Sequence, residues 1–244
     1  MKLRNKVKLF AAVCIADVCL FAGLVRIAER PAAVSAYTRD HTAVSLRFSS
    51  DEEELPNGAD MKFVALTFDD GPDRECTVRL LDGLRERGVH VTFFLMGENI
   101  EGNEDVVKRM SDEGHLIGNH SYKHVQLTKA GVDQVCQAVE RTSSIIEEIT
   151  GERPRYLRPP YGDWNEDLEC RMDMETVLWS VDSLDWKLRS REKIVRRVLK
   201  DVEDGDIILM HDIFPSSVTA ALDIVDRLRE QGYTFVTVDE LLID

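Results

Sequence analysis

The chain has few cysteines, and their spacing matches no metal-binding or disulfide-rich module. Five cysteines occur in 244 residues. Cys14 and Cys19 lie inside an apolar run, which leaves Cys76, Cys136 and Cys170 for the rest of the chain. Three cysteines at irregular intervals exclude a zinc knuckle and a disulfide framework. We therefore expect at least one free thiol, unless a cysteine pairs between chains.

The chain also lacks any surplus of positive charge. Its formal net charge is -14. Residues 1–60 carry eight basic and eight acidic side chains, so the whole acidic excess falls on residues 61–244. An acidic domain repels the phosphate backbone of nucleic acids, and the composition therefore excludes nucleic acid as a partner. A neutral or cationic substrate suits this charge better.

No internal repeat or second domain boundary is visible in residues 61–244. With 43% hydrophobic residues, the chain suits one packed domain, placed at 61–244, plus an appendage. The appendage begins with residues 1–30, in which basic side chains precede the apolar run Leu9–Val25. This order targets a chain to the secretory route. We therefore expect the domain to be extracytoplasmic.

The apolar run favours a membrane anchor that stays attached over a signal peptide that is removed. It is longer than a usual signal core, and the best cleavage site, Val34-Ser35-Ala36, lies well beyond its end. Asp17 interrupts the run and leaves a cleaved signal, a secreted protein or a buried core helix as alternatives. Residues 31–60 show no sustained periodicity and are predicted to be a linker or stalk.

Residues 61–244 alternate short β-rich runs with helical patterns. The helical patterns end at glycines such as Gly88 and Gly151, as helices commonly do. This alternation predicts a parallel β/α architecture, either a barrel or a doubly wound sheet, preceded by the N-terminal apolar helix. The seven predicted strands are Lys62–Phe68, Val89–Met96, Leu116–Gly118, Arg155–Arg158, Thr176–Val181, Asp206–His211 and Tyr233–Val238.

Polar clusters follow five of these strands at the point where each strand ends. In a parallel β/α barrel those carboxyl ends open onto one face, where active sites are built, so the clusters are expected to converge. The clusters are Asp69 with Asp70, His120 with His124, Arg158 before two prolines, Asp182 with Asp185 and Trp186, and His211 with Asp212.

The adjacent carboxylates Asp69 and Asp70 indicate a metal site. Two neighbouring anionic side chains repel each other and require a cation or a proton, although the same run could form an ordinary turn and helix cap. His120 and His124 are four residues apart, which on a helical turn or in a tight loop directs both rings to one point. Two histidines and one aspartate leave open positions on a zinc ion for water and substrate.

Each remaining cluster has a plain structural explanation when taken alone. Arg158 could be a surface cation, Asp182 and Asp185 could cap a loop, Trp186 could be core, and His211 could be a buried histidine. Together they supply the parts of a metal-dependent hydrolase: an ion, a base, an arginine beside the base, an acid histidine and an aspartate beside the acid. His41, His90 and His115 have no such neighbours and are interpreted as structural or solvated.

These clusters resemble the five motifs of the polysaccharide deacetylase family, the carbohydrate esterases that share the NodB homology domain. The resemblance covers residues 61–244 and implies a distorted, incomplete (β/α) barrel with about seven parallel strands. The motifs are Thr67-Phe68-Asp69-Asp70-Gly71, His120-Ser121-Tyr122-Lys123-His124, Arg158-Pro159-Pro160-Tyr161, Asp182-Ser183-Leu184-Asp185-Trp186 and Leu209-Met210-His211.

The resemblance also implies a role for each site residue. It implies a divalent metal, zinc before cobalt, on Asp70, His120 and His124, with Asp69 as general base beside Arg158. It implies His211 as general acid, with Asp185 setting its protonation. It further implies a backbone N–H of Tyr161 for the oxyanion, and an apolar pocket for the acetyl methyl from Trp186 and Leu209.

The activity that follows from this resemblance is removal of N-acetyl groups from N-acetylglucosamine-type residues of an extracytoplasmic glycan such as peptidoglycan. Two other enzymatic hypotheses assume the same hydrolytic chemistry on a different substrate: an O-acetyl xylan esterase, and a deformylase of a lipid-linked amino sugar. A tethered carbohydrate-binding protein, in which the ion only holds a loop, is the alternative from a different class.

Overall fold

The computed structural model describes residues 61–164 and 173–242. Within them a single parallel sheet runs in the order β5-β4-β3-β2-β1-β7-β6, and β8 pairs with β1 off this path. The strands are β1 (Lys62–Asp69), β2 (Thr92–Leu95), β3 (Leu116–Asn119), β4 (Tyr156–Leu157), β5 (Glu175–Thr176), β6 (Val181–Asp182), β7 (Asp206–His211) and β8 (Tyr233–Val236).

Strand β1 lies at the centre of the sheet, and its pairing with β7 aligns residues of the site. One of its edges pairs with β7, with Asp69 opposite His211. The other edge is shared, because β2 pairs with its carboxyl half and β8 with its amino half. The last six residues of β1 are buried, as expected for a strand covered on both faces.

Helices cover the outside of the sheet, and their apolar faces form the main core with β1, β2 and β7. Gly88 and Gly151 end α1 and α4 in the left-handed conformation that glycine adopts readily. The described helices are α1 (Cys76–Arg87), α2 (Gly97–Ile100), α3 (Glu104–Asp112), α4 (Val132–Thr150), α5 (Asp185–Leu188), α6 (Arg191–Asp201), α7 (Pro215–Glu230) and α8 (Val238–Leu242).

The predicted fold class, an incomplete (β/α) barrel of parallel strands, is confirmed. One strand prediction is wrong in detail, because Thr176–Val181 is divided between β5 and β6, which lie at opposite edges of the sheet. The carbonyl groups of Val177 and Leu178 accept hydrogen bonds from Arg158 at 3.2 and 3.3 Å. These two carbonyls bind a side chain in place of a neighbouring strand, in the segment where the chain passes from one edge of the sheet to the other.

Two further sequence predictions lie wholly or partly outside the described residues. The predicted anchor (1–30) and stalk (31–60) are not among them, and the division of the chain into three segments stays a prediction. No helix within 61–164 and 173–242 has the length and apolar character needed to cross a bilayer.

Of the cysteines in these ranges, Cys76 is buried and Cys136 half-buried, and both are free thiols. Burial and nearby Asp73 raise the pKa of Cys76 to about 11.

Candidate active site

Asp70, His120 and His124 form a candidate metal centre. Their ligand atoms all lie within 4.8 Å of one another. The Nε2 atoms of His120 and His124 are 3.5 and 3.4 Å from Oδ1 of Asp70, too far for good hydrogen bonds. That oxygen is buried and has no hydrogen-bond partner. A buried, unpartnered carboxylate oxygen facing two imidazole nitrogens fits a divalent cation, whose preferred protein ligands include these atoms.

His120 is held in the tautomer that a metal ligand requires. It follows β3 directly, and its Nδ1 lies 2.7 Å from the backbone carbonyl of Arg158. A carbonyl oxygen can only accept, so Nδ1 carries the proton and Nε2 presents a lone pair to the site. Burial lowers the pKa of His120 against the opposing effect of Asp69 and Asp70. The neutral ring is the form that binds metal.

The loop between the two histidines is a tight loop and not a helical turn. In this loop Ser121 and His124 have φ of 63° and 51°. The third candidate ligand, Asp70, which follows β1, also has a positive φ, of 74°. Such values in residues other than glycine persist only where the surroundings enforce them. Tyr122 supplies part of that enforcement: its hydroxyl donates to Glu101 at 2.6 Å, and the Arg141 guanidinium lies 3.7 Å from its ring centre.

Asp69 lies at the end of β1 and is fixed by Arg158. An Nη1 group of Arg158 donates to Asp69 Oδ1 at 2.8 Å and to the Thr67 hydroxyl oxygen at 2.6 Å. Arg158 is fully buried, and its guanidinium lies 4.1 Å from the ring centre of Phe94. The second carboxylate oxygen, Oδ2, is left facing the metal centre, 3.8 Å from His120 Nε2. A carboxylate oriented in this way can accept a proton on one oxygen only.

His211 approaches the metal centre from the end of β7 and is bound to Asp185. Its Nδ1 lies 2.7 Å from Asp185 Oδ1, and its backbone N–H donates to Oδ2 at 2.8 Å. Its Nε2 lies 3.9 Å from Asp70 Oδ2. Burial lowers the pKa of His211, but the hydrogen bond and the charges of Asp185, Asp69 and Asp70 outweigh burial and raise the pKa to about 9. The ring therefore carries a proton on Nε2 at neutral pH.

The three predicted substrate-contacting residues lie at the same end of the sheet. Tyr161 is 67% exposed, with φ of 64°, and its ring centre lies 4.6 Å from the ring centre of His124 in a T-shaped contact. Trp186 is 48% exposed and follows Asp185, whose Oδ1 accepts its backbone N–H. Leu209 is buried in β7, two residues before His211, and strand alternation places both on one face.

Three polar residues that support the site were missed at the sequence level. Thr67 lies two residues before Asp69, and period-two alternation could have placed both on one face. Asn119 ends β3, accepts the Ser121 N–H at 2.7 Å and donates to the Val139 carbonyl at 2.8 Å. No local pattern marks Thr77, whose hydroxyl donates to Asp212 across the fold.

Asp212 is buried directly behind the Asp69-Asp70 turn. A Cβ added at Gly71 would lie 2.5 Å from each of its carboxylate oxygens, so the turn packs against the carboxyl group and requires glycine there. Burial raises the pKa of Asp212 to about 7, against the hydrogen bond from Thr77. His115 is structural, as predicted: it accepts the Val91 N–H at 3.2 Å, and burial lowers its pKa to about 4.

The fold and site define an incomplete parallel barrel with a candidate divalent-metal centre between a fixed carboxylate and a protonated histidine. The sequence profile described as polysaccharide deacetylase matches residues 57–175. The solved structure of the peptidoglycan deacetylase PdaC from Bacillus subtilis superposes with a TM-score of 0.73 at 43% identity, covering 75% of this chain and 90% of that one. The chain belongs to the polysaccharide deacetylase family of enzymes.

Two further comparisons concern whole proteins. The chain is 42% identical over 201 residues to the Bacillus subtilis peptidoglycan-N-acetylmuramic acid deacetylase PdaC, covering 82% of this chain and 42% of that protein. It is 39% identical over 188 residues to the Listeria monocytogenes peptidoglycan-N-acetylglucosamine deacetylase PgdA, covering 77% of this chain and 40% of that protein. The chain thus spans about two fifths of the length of these relatives.

A structure described as a pseudoenzyme of the same family, BA3943 from Bacillus anthracis, is also similar. Its TM-score is 0.70 at 30% identity, covering 75% of this chain and 66% of that one. Family membership therefore does not by itself make a chain active. The activity of this chain has to be argued from its own site residues.

Proposed function

We propose that this protein is a metal-dependent deacetylase that removes N-acetyl groups from N-acetylglucosamine-type residues of an extracytoplasmic glycan, with peptidoglycan as the substrate. The observation that carries the proposal is the pairing around the metal centre. Asp69 is held by Arg158 at 2.8 Å, and His211 is held by Asp185 at 2.7 Å. Amide hydrolysis needs both a base and an acid, and here each is oriented by its own buried partner.

Asp70, His120 and His124 would hold the divalent ion. The ion would supply a Lewis acid that polarises the acetyl carbonyl and lowers the pKa of the attacking water. Nitrogen and oxygen ligands of this kind suit zinc, and cobalt accepts the same set. Zinc is therefore our proposed physiological ion.

The side chains around the centre carry the proton transfers. Asp69 accepts the proton of the attacking water on Oδ2, because Arg158 occupies Oδ1. The backbone N–H of Tyr161 donates to the developing oxyanion. His211 then transfers its Nε2 proton to the departing amine, which leaves poorly without it. Trp186 and Leu209 line the apolar space for the acetyl methyl.

We further propose an extracytoplasmic location, with the domain held at the membrane by residues 1–30 and spaced from it by residues 31–60. The support is the basic and apolar pattern of the N-terminus and the substrate class of the relatives. A glycan of the cell wall lies outside the membrane, and a tethered enzyme would reach it there.

The test is acetate release from purified peptidoglycan and from chitooligosaccharides, with and without a chelator. We expect release from at least one of these substrates, loss of activity on chelation, and recovery when zinc is added. Acetylated xylan and a formylated amino sugar belong in the same panel, because release from these alone would replace the N-deacetylase proposal by an esterase or a deformylase. Binding of glycan with no product in added zinc or cobalt would instead support a carbohydrate-binding protein.

A further inference from the structure

Arg189 lies at the rim of the site, one aromatic ring away from His211. Its guanidinium carbon is 3.1 Å from the ring centre of Phe214, and the Phe214 and His211 ring centres are 6.2 Å apart. The Nε of Arg189 donates to the backbone carbonyl of Trp186 at 2.8 Å. The stacking on Phe214 and the hydrogen bond to Trp186 thus hold the guanidinium on the side of the site that carries His211, next to the half-exposed Trp186.

The backbone holds Arg189 in this position. Arg189 follows α5 directly, with φ of 47°, and Leu184 precedes α5 with φ of 52°. Both values are left-handed, and non-glycine residues adopt this conformation only where other contacts enforce it. The first residue of α5 is Asp185, which is bound to His211. The helix that orients the acid therefore also presents Arg189.

The charge of Arg189 is not neutralised within the described part of the chain. No carboxylate of residues 61–164 or 173–242 forms an ion pair with Arg189, and its two Nη groups have no hydrogen-bond partner there. Arg191, two residues further on, pairs with Asp223 at 3.0 Å. Arg189 is exposed and stacked, with the outer edge of its guanidinium available.

We propose that Arg189, stacked on Phe214, binds a carboxylate carried by the glycan beside the reacting acetamido group. A guanidinium presents paired N–H donors that match a carboxylate, and stacking on an aromatic ring orients it. The lactyl carboxylate of a muramic acid unit has this chemistry. The inference rests on the proposed deacetylase function and deepens it, because it assigns a preference for acidic over neutral glycans.

The overall charge of the protein makes this cation significant. A net charge of -14 disfavours an anionic glycan, so the sequence alone favours a neutral or cationic substrate. Long-range repulsion between exposed charges is screened beyond about 8 Å at physiological ionic strength. A direct contact with Arg189 is therefore sufficient to accept a carboxylate at this one position.

The test compares two oligosaccharides of equal length: a chitooligosaccharide, and an alternating N-acetylglucosamine and N-acetylmuramic acid oligomer without peptides. Acetate release by the full chain in detergent gives kcat/KM for each. We expect R189A to lower the ratio of acidic to neutral kcat/KM about fivefold to tenfold, mainly through KM, the size expected for losing a charged hydrogen bond at an exposed site. R189K keeps the positive charge but lacks the paired N–H donors of a guanidinium, so its ratio should lie between those of R189A and the unaltered protein.

Arg191→Ala is the matched control, because it removes the same charge from an arginine that already has a carboxylate partner. A ratio altered equally in R191A, or unaltered in R189A, would overturn the inference. Binding of both oligosaccharides to the zinc-loaded proteins is measured in parallel, so the preference is tested even if neither releases acetate, a result that would count against the deacetylase proposal alone. A third oligomer bearing stem peptides distinguishes a lactyl carboxylate from a peptide carboxylate. If R189A lowers the acidic-to-neutral kcat/KM ratio only for the oligomer with peptides, the carboxylate belongs to the peptide, and the lactyl assignment is contradicted.

Discussion

The Nδ1 atom of His211 lies 2.7 Å from Oδ1 of Asp185, and the second oxygen of the same carboxylate accepts the His211 backbone N–H. One buried carboxylate thus fixes both the position of the residue and the protonation of its ring. Asp185 is itself fully buried, and although burial raises its pKa, the hydrogen bond and charge of His211 lower it below its ordinary value. The pair is therefore an aspartate anion and a histidine cation at neutral pH.

Asp185→Asn should move the basic limb of the pH profile of kcat to lower pH. Burial lowers the pKa of His211, and the charge of Asp185 contributes to raising it to about 9. Without that charge the ring loses its proton at lower pH, by about one to three units, so the acid is lost earlier as pH rises. The measurement is kcat against pH for both proteins.

Asp182→Asn is the control for this shift. Asp182 ends β6, three residues before Asp185, and its carboxylate accepts the backbone N–H of Leu184 at 2.8 Å. The substitution Asp182→Asn should leave the basic limb of the kcat profile at the same pH. If Asp185→Asn also leaves it in place, His211 is not the group that titrates there.

Asp69→Asn and His120→Ala should separate catalysis from metal binding. The first removes the proton acceptor but no proposed ligand, so turnover should fall by about 10²–10⁴-fold with metal content retained. The second removes a ligand, so the metal itself should be lost. Metal content by emission spectrometry and acetate release on the same samples distinguish the two outcomes. Normal turnover in either variant would falsify the assignment, and the exposed His90→Ala should retain its metal.

Arg158→Leu should destabilise the metal-free protein more than Arg158→Leu combined with Asp69→Asn. The single variant leaves the Asp69 carboxylate buried without its partner, which destabilises a protein by about 3–5 kcal/mol. The double variant removes the unpaired charge and should recover a large part of that loss. Denaturant unfolding of the four proteins of the cycle gives the coupling free energy, and additive effects would show that the pair is not coupled.

Thr77→Val should lower the free energy of unfolding by about 1–3 kcal/mol, because it leaves the buried Asp212 carboxyl without its donor. The loss should be larger at pH 8 than at pH 5. Burial raises the pKa of Asp212 to about 7, so only at the higher pH is the unpartnered group a carboxylate. Thr77→Ser keeps the hydroxyl and should retain stability at both values, and a pH-independent loss in Thr77→Val would count against an ionised Asp212.

The sequence predicted the strand ends of the site well, because parallel strands place their carboxyl ends at one edge whatever their exact length. Asp69, His120, Arg158 and His211 each lie at such an end, and the structure brings them together. The prediction of Thr176–Val181 as one strand was wrong. The two halves of this run join opposite edges of the sheet, and the Val177 carbonyl between them accepts a hydrogen bond from Arg158, nineteen residues away, so the division depends on tertiary contacts that no local pattern reveals.

The amino-acid order is sufficient for the alternation of strands and helices, the ends of the helices at Gly88 and Gly151, and the candidate ligands Asp70, His120 and His124. These follow from local periodicity and side-chain chemistry, which act over a few residues. The family resemblance predicts that Asp69 pairs with Arg158 and His211 with Asp185, but only the folded chain brings these pairs to 2.8 and 2.7 Å and stacks Arg189 on Phe214. Such pairings depend on register and on packing between distant elements, where burial makes each contact strong enough to set protonation and orientation.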